Sequence, residues 1–122
     1  MRRKSLQKLP LSQLKLKAQK VFNRFIRERD ADKGCISCGA GVDHAGHYYS
    51  QGHHGNLRYN ETNTNGQCLR CNNFLHGNLI NYRNGLLKRY GEDKVLMLDS
   101  AARQTKKWTE LELLMIIQMY KK

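Results

Sequence analysis

Four cysteines stand in two pairs, Cys35-x-x-Cys38 and Cys68-x-x-Cys71, and they are the only cysteines in the 122 residues. A two-residue spacer lets both thiolates of a pair face one ion about 2.3 Å away, and two such pairs complete a tetrahedron. Gly39 follows the first pair, where a tight turn is needed. The spacing predicts a structural zinc site at Cys35, Cys38, Cys68 and Cys71. A closed tetrathiolate has no open position for water, so this zinc would hold the fold and do no chemistry.

A second constellation lies between and just after these knuckles. All five histidines (His44, His47, His53, His54 and His76) fall within residues 44–76, together with Asn60, Asn63, Asn72 and Asn73. Hydrolysis of a phosphodiester needs a base for water, a divalent cation for the developing charge, and ligands that hold that cation loosely. Neutral imidazole suits the first task, because its pKa lies near working pH. Imidazole nitrogens and amide oxygens can meet the third. Additional zinc ligation and plain polar surface remain alternative uses of the same residues. His53, His54 and His76, taken singly, read as surface or DNA-contacting residues.

The elements that would carry these groups follow from periodicity. Leu14, Ala18, Val21, Phe22, Phe25 and Ile26 recur at three- and four-residue steps, which predicts a helix over 12–33 with Ser12 as N-cap and Gly34 beyond its end. Residues 34–67 lack that period, and two short extended pieces are expected near His47–Ser50 and Leu57–Tyr59. Leu79, Tyr82, Leu86 and Tyr90 share a helical face that Gly91 closes, and a short helix is expected over 92–102. Thr109 and Glu112 form a capping box ahead of a last apolar helix. The division is a basic tail (1–11) and one domain (12–122), the latter made of the first helix, a core over 34–91 and C-terminal helices over 92–122. The fold class is α+β.

Twenty-two Lys and Arg against ten Asp and Glu give a net charge of +12. Such a surplus repels itself unless a polyanion relieves it, and nucleic acid is the commonest one. The N-terminal region lacks the apolar run of roughly 7–15 residues of a secretory signal, and nothing approaches the roughly 18 apolar residues of a membrane span. The chain is therefore read as cytoplasmic, where thiols stay reduced and bind metal, and no membrane partner is expected.

The runs CISCG (35–39), AGHYYS (45–50), LRYNETN (57–63) and QCLRCN (67–72), with FNRFIRERD (22–30) before them, resemble the NinG/Rap family of lambdoid phage recombination proteins. The resemblance covers nearly the whole chain. It implies a phage-encoded endonuclease acting on branched DNA such as Holliday junctions and D-loops, working beside other phage recombination proteins. It also implies a treble-clef, ββα-metal (His-Asn-His) core, similar to phage endonuclease VII, with flanking helices at both ends. On that reading His47 is the general base, Asn63 orients the loop carrying it, and Asn72 binds a catalytic Mg²⁺ or Mn²⁺. Gly46 stands where many His-Asn-His enzymes carry an acidic ligand. The family's pattern can have an aspartate three residues before the histidine, and here that position is His44, with Asp43 one step earlier. His44 is thus the second candidate ligand of the catalytic metal.

Lys20, Arg24, Arg58, Arg70 and Arg83 are the candidate DNA contacts, spread as phosphate-binding residues are rather than gathered on a base-reading helix. The last helix is apolar over more than one face, which serves either a homodimer or the back of the core. Two other functions stay open: a zinc-bearing protein that binds branched or single-stranded DNA without cutting, and an RNA binder stacking bases on Tyr48, Tyr49 and Tyr59.

Overall fold

The computed structural model describes residues 9–121; the expected basic tail lies, up to residue 8, outside the described residues. Helix α1 spans Leu11–Asp30. Leu14, Ala18, Phe22 and Ile26, one turn apart, are all fully buried, as the apolar period requires. Pro10, not Ser12, occupies the N-cap position, and its carbonyl accepts from the amides of Gln13 and Leu14, both at 3.0 Å. Proline suits that boundary because it has no amide hydrogen to leave unpaired, and Ser12 falls inside the first turn. The helix ends three residues sooner than the sequence suggests. The amides of Lys33 and Gly34 return to the Asp30 carbonyl, and Gly34 takes φ +84°, where a Cβ would stand 2.8 Å from the Gly39 carbonyl oxygen.

The two strands are β1 (His44–His47) and β2 (Thr64–Gln67). They pair antiparallel with His44 opposite Gln67 and His47 opposite Thr64. Both differ from the extended pieces expected at 47–50 and 57–59. Leu57 closes a single 3₁₀ turn (Gly55–Leu57) instead. In that second expected piece Leu57 and Tyr59 drop into two different apolar clusters. The real strands, His-Ala-Gly-His and Thr-Asn-Gly-Gln, carry no apolar alternation at all.

After β2 and Cys68 the chain makes one wide π-type turn (Arg70–Phe74) that carries Cys71. Helices α2 (Leu79–Tyr90) and α3 (Glu92–Ala101) follow, separated by Gly91. Helix α4 (Glu110–Tyr120) starts on the expected capping box: Glu112 N donates to Thr109 Oγ1 at 3.2 Å and Thr109 N to Glu112 Oε1 at 3.0 Å.

Packing forms two apolar clusters with the cysteines as a third. α1 and α4 enclose Leu14, Ala18, Phe22, Ile26, Tyr59, Leu113 and Ile117. α2 and α3 enclose Ile36, Leu57, Tyr82, Leu86, Val95 and Leu98. The hairpin is stitched to α1 by Asp30, whose fully buried carboxylate accepts from the Gly66 amide at 2.8 Å and from Arg29 Nε at 2.8 Å. Arg29 Nη2 continues to Thr64 O and Asn65 Oδ1. The fold is a mixed α+β arrangement in which polar strands are held between helices. Among the described residues, no helix is long and apolar enough to cross a membrane.

Candidate functional site

The knuckles converge. The four Sγ atoms of Cys35, Cys38, Cys68 and Cys71 all lie within 4.8 Å of one another, and Cys38 Sγ is 3.6 Å from Cys68 Sγ. Thiolates about 2.3 Å from a tetrahedral ion stand at such separations, so the four residues could hold a metal such as zinc. Surrounding donors fit that role: the Cys71 amide points at Cys68 Sγ and Asn78 Nδ2 at Cys71 Sγ, both at 3.4 Å. Burial, with the neighbouring thiols, pushes the Cys71 thiol up to about 12 although Asn78 opposes it. A bare thiolate would not persist there; a bound cation would supply the missing charge.

β1 carries the histidine site, and side chains alternate across it. His47 Nε2 lies 3.1 Å from the Arg58 carbonyl oxygen and 3.3 Å from Gln19 Nε2. The Gln19 amide is already committed: Nε2 donates to Asn23 Oδ1 and Arg58 O, and Oε1 accepts from Arg58 Nε. The ring's Nε2–H must therefore donate to Arg58 O, which leaves Nδ1 with the lone pair. Burial lowers the His47 pKa, and the Arg58 charge adds to this while the carbonyl bond opposes it. A neutral imidazole with one nitrogen pinned and the other basic can accept a proton from water.

Asn63 is fully buried and clamps the chain just after β1. Its Oδ1 accepts from Tyr49 N at 2.8 Å and its Nδ2 donates to Tyr49 O at 3.0 Å, while its own carbonyl accepts from Tyr48 N. Both backbone groups of Tyr49 are thus tied to a single side-chain amide, two residues beyond His47.

His44 and Asn72 meet on the other side of the strand, with Asn72 Nδ2 3.2 Å from His44 Nδ1. Together with Ala45, Asn73, and Asn23 and Arg27 of α1 they line an open cleft of about 330 Å³. Asn23 links this cleft to His47 through Gln19. The sequence-level candidates therefore gather as one direct pair, His44–Asn72, and one indirect neighbour, His47. Asp43 takes no part: its carboxylate accepts from the Leu69 amide at 2.8 Å and caps the turn leading into the second knuckle.

Of the candidate DNA contacts, Lys20 and Arg70 are exposed. Arg24 is exposed and paired with Glu28 at 3.3 Å. Arg58 is spent on Gln19 and on the ring of Tyr59. Arg83 departs furthest from expectation: Asp99 takes both of its Nη atoms, at 3.1 and 2.7 Å. Its charge is compensated within the fold, and Arg27, on the rim of the cleft, is the better placed cation. Tyr59 is buried, and the half-buried Tyr48 and Tyr49 bond to Arg83 and Asp99, so the three rings do not form one exposed stacking platform. His53 bonds Ser50 and His54 bonds the Ala102 carbonyl, away from the cleft.

Sequence reasoning passed over Gln19, Asn23 and Gln67. Gln19 had a legible signal, being a polar residue between Ala18 and Phe22 on the buried stripe of α1. Gln67 had none until the register placed it opposite His44.

Fold and site together define a small α+β protein with a four-cysteine knuckle and a His–Asn cleft beside it. A family model described as the bacteriophage lambda NinG protein matches residues 1–122, and the chain belongs to the NinG family. It is 44% identical over 86 residues to the protein ninG of Escherichia phage lambda, covering 68% of this chain and 42% of that one. The protein ninG of Salmonella phage P22 is 41% identical over 98 residues, covering 78% and 48%. The chain thus spans less than half the length of these relatives. No solved structure matches it.

Proposed function

We propose that the chain is a metal-dependent DNA endonuclease of the His-Asn-His type that acts on branched recombination intermediates. The observation that carries this reading is His47, held by Arg58 O so that Nδ1 is the basic nitrogen, on the same short strand as His44, which lines a cleft with Asn72. In the proposed step His47 Nδ1, as general base, takes a proton from water as the water oxygen attacks the phosphorus. The bond from phosphorus to the leaving oxygen breaks, and that oxygen departs with its strand and takes a proton from solvent. Asn63 keeps the segment after His47 from swinging. A Mg²⁺ or Mn²⁺ held by His44 and Asn72 would neutralise charge on the phosphate and leaving oxygen. Arg27, Lys20 and Arg70 would contact the DNA backbone, and such contacts read shape more than sequence.

The second reading is a binding protein for branched or single-stranded DNA that does not cut. It is favoured by one feature: among the described residues, no carboxylate lines the cleft. A homodimer would suit the near two-fold symmetry of a junction, and Leu111, Met115 and Met119 on the outer side of α4 are exposed.

The deciding experiment is cleavage of a labelled four-way junction against a linear duplex of the same sequence, with Mg²⁺, Mn²⁺ or EDTA. His47→Ala should lower cutting by about 10²- to 10⁴-fold, the range for losing a general base, while junction binding and zinc content persist. Tight junction binding by the wild type without product in either metal would replace the first reading with the second.

A further inference from the structure

Gln67 has no role in the site as described, yet its surroundings are those of a ligand. The side chain is fully buried, and its Oε1 is one of three buried side-chain atoms without a hydrogen-bond partner among the described residues. The amide cannot turn over to relieve this, because Nε2 donates to the Gly77 carbonyl at 2.8 Å and lies 2.9 Å from Ser37 Oγ. An unpaired buried carbonyl is costly, and native folds rarely leave one without a purpose.

The position of that oxygen is informative. Gln67 and His44 are directly paired across the hairpin, so their side chains share a face. Gly46 lies on the same face two residues along. A Cβ at Gly46 would stand 1.9 Å from Gln67 Oε1 and 3.1 Å from Asn72 Oδ1. Two amide oxygens therefore face the space that glycine leaves open, with His44 bonded to the same Asn72. Two amide oxygens about one point, of which Gln67 Oε1 has no donor among the described residues, form a cation site in outline. The glycine found where an acidic ligand is common is what admits the Gln67 oxygen.

We propose that Gln67 Oε1 is a third ligand, with Asn72 and His44, for the divalent cation of this cleft. The inference rests on the nuclease reading only for what the cation would do. The ligand set contains an imidazole and two neutral amides, with no carboxylate. Mg²⁺ favours carboxylate and water oxygens, whereas imidazole suits transition metals, so the site prefers Mn²⁺ to Mg²⁺.

The test is made without DNA on the zinc-loaded chain of 122 residues. Electron paramagnetic resonance counts free Mn²⁺ during titration. Wild type should bind one Mn²⁺, with Mg²⁺ competing only in large excess. Gln67→Met, close in volume and without the oxygen, should weaken Mn²⁺ at least tenfold. Gln67→Glu, which adds a charged oxygen, should tighten it and narrow the preference over Mg²⁺. Because either variant could disturb the Gly77 bond, the wild type is also read directly. In protein labelled at glutamine side chains, excess diamagnetic Mg²⁺ should shift the Gln67 amide resonance and leave that of Gln104 in place. Mn²⁺ binding with an unmoved Gln67 amide, or unchanged affinity in folded Gln67→Met, overturns the proposal and leaves the nuclease reading standing. An Asn72 amide turned to donate to Gln67 Oε1, with no Mn²⁺ bound, overturns it too. Mn²⁺ bound through Gln67 in a protein that cuts no junction would sink the nuclease reading and spare the site.

Discussion

Burial holds His47 neutral at pH values where an exposed imidazole would already be half charged, since its pKa lies below the ordinary 6.5. A base works in its unprotonated form, so junction cutting should rise with pH through a point below 6.5 and level off before neutrality. A rate profile under single-turnover conditions checks this, and a midpoint above 6.5 would contradict it. Asp30 shows the opposite sign of charge under the same constraint. Burial would raise its pKa, but the Arg29 hydrogen bonds, the Gly66 amide and Arg89 hold it below the ordinary 3.8. The folded carboxylate thus binds its proton less readily than the unfolded one. Its stabilisation is complete above the unfolded value and is lost as pH falls below 3.8 toward the folded value. Asp30→Asn strips Arg29 of its buried partner and should cost about 3–5 kcal/mol near neutral pH. In urea melts the variant should also lose much of the acid-side dependence of the wild type.

At the scale of elements, α2 is fitted to the first knuckle by one absent side chain. A Cβ on Gly85 would stand 2.1 Å from the Ile36 carbonyl oxygen, a backbone atom that cannot step aside. Gly85→Ala is the better helix former, worth about 1 kcal/mol in a free helix. Here it should nonetheless destabilise by about 1–3 kcal/mol through overpacking, measured as a lower denaturant midpoint with weaker metal retention. The helices were legible because their apolar residues recur at three and four: Leu14 to Ile26 for α1, Leu79 to Tyr90 for α2, and the Thr109–Glu112 box for α4. The roles of His47, Asn63 and Asn72 come from the family pattern and belong to the proposed function, while the cysteine cluster was legible from spacing. The hairpin was not. Its strands hold their places through Asp30, Arg29, Asn63 and Tyr82, whose Oη donates to Gly46 O at 2.6 Å, and bonds between distant polar residues leave no period to read. Arg83 looked free for the same reason, its partner Asp99 lying a helix away.

For the whole molecule, two modest apolar clusters are joined through the cysteine site and a polar hairpin. A core so divided depends on its staple, and structural zinc contributes apparent free energies of about 10–16 kcal/mol in small zinc-binding peptides. Stripping the metal with a strong chelator should abolish cooperative thermal unfolding, and returning one equivalent of Zn²⁺ should restore it. Protons compete for the same thiolates, so retention should weaken as pH falls. A chelated protein that still melts cooperatively at the original temperature would show that the knuckles close without the ion.

The strand Thr64–Gln67 is buried along its whole length and contains no apolar side chain. A hydropathy plot of this chain would therefore put its surface where the molecule keeps its centre. The usual exchanges by which interiors drift, leucine for isoleucine or valine for alanine, have nothing to act on in that strand. Asn65 and Gln67 each answer to particular groups on other elements, Asn65 to Tyr82 and Tyr90 and Gln67 to Ser37 and the Gly77 carbonyl, so a change in either asks for a matching change in its partners. A substitution at Asn65 is therefore constrained by hydrogen bonding alone, whether or not DNA is ever bound.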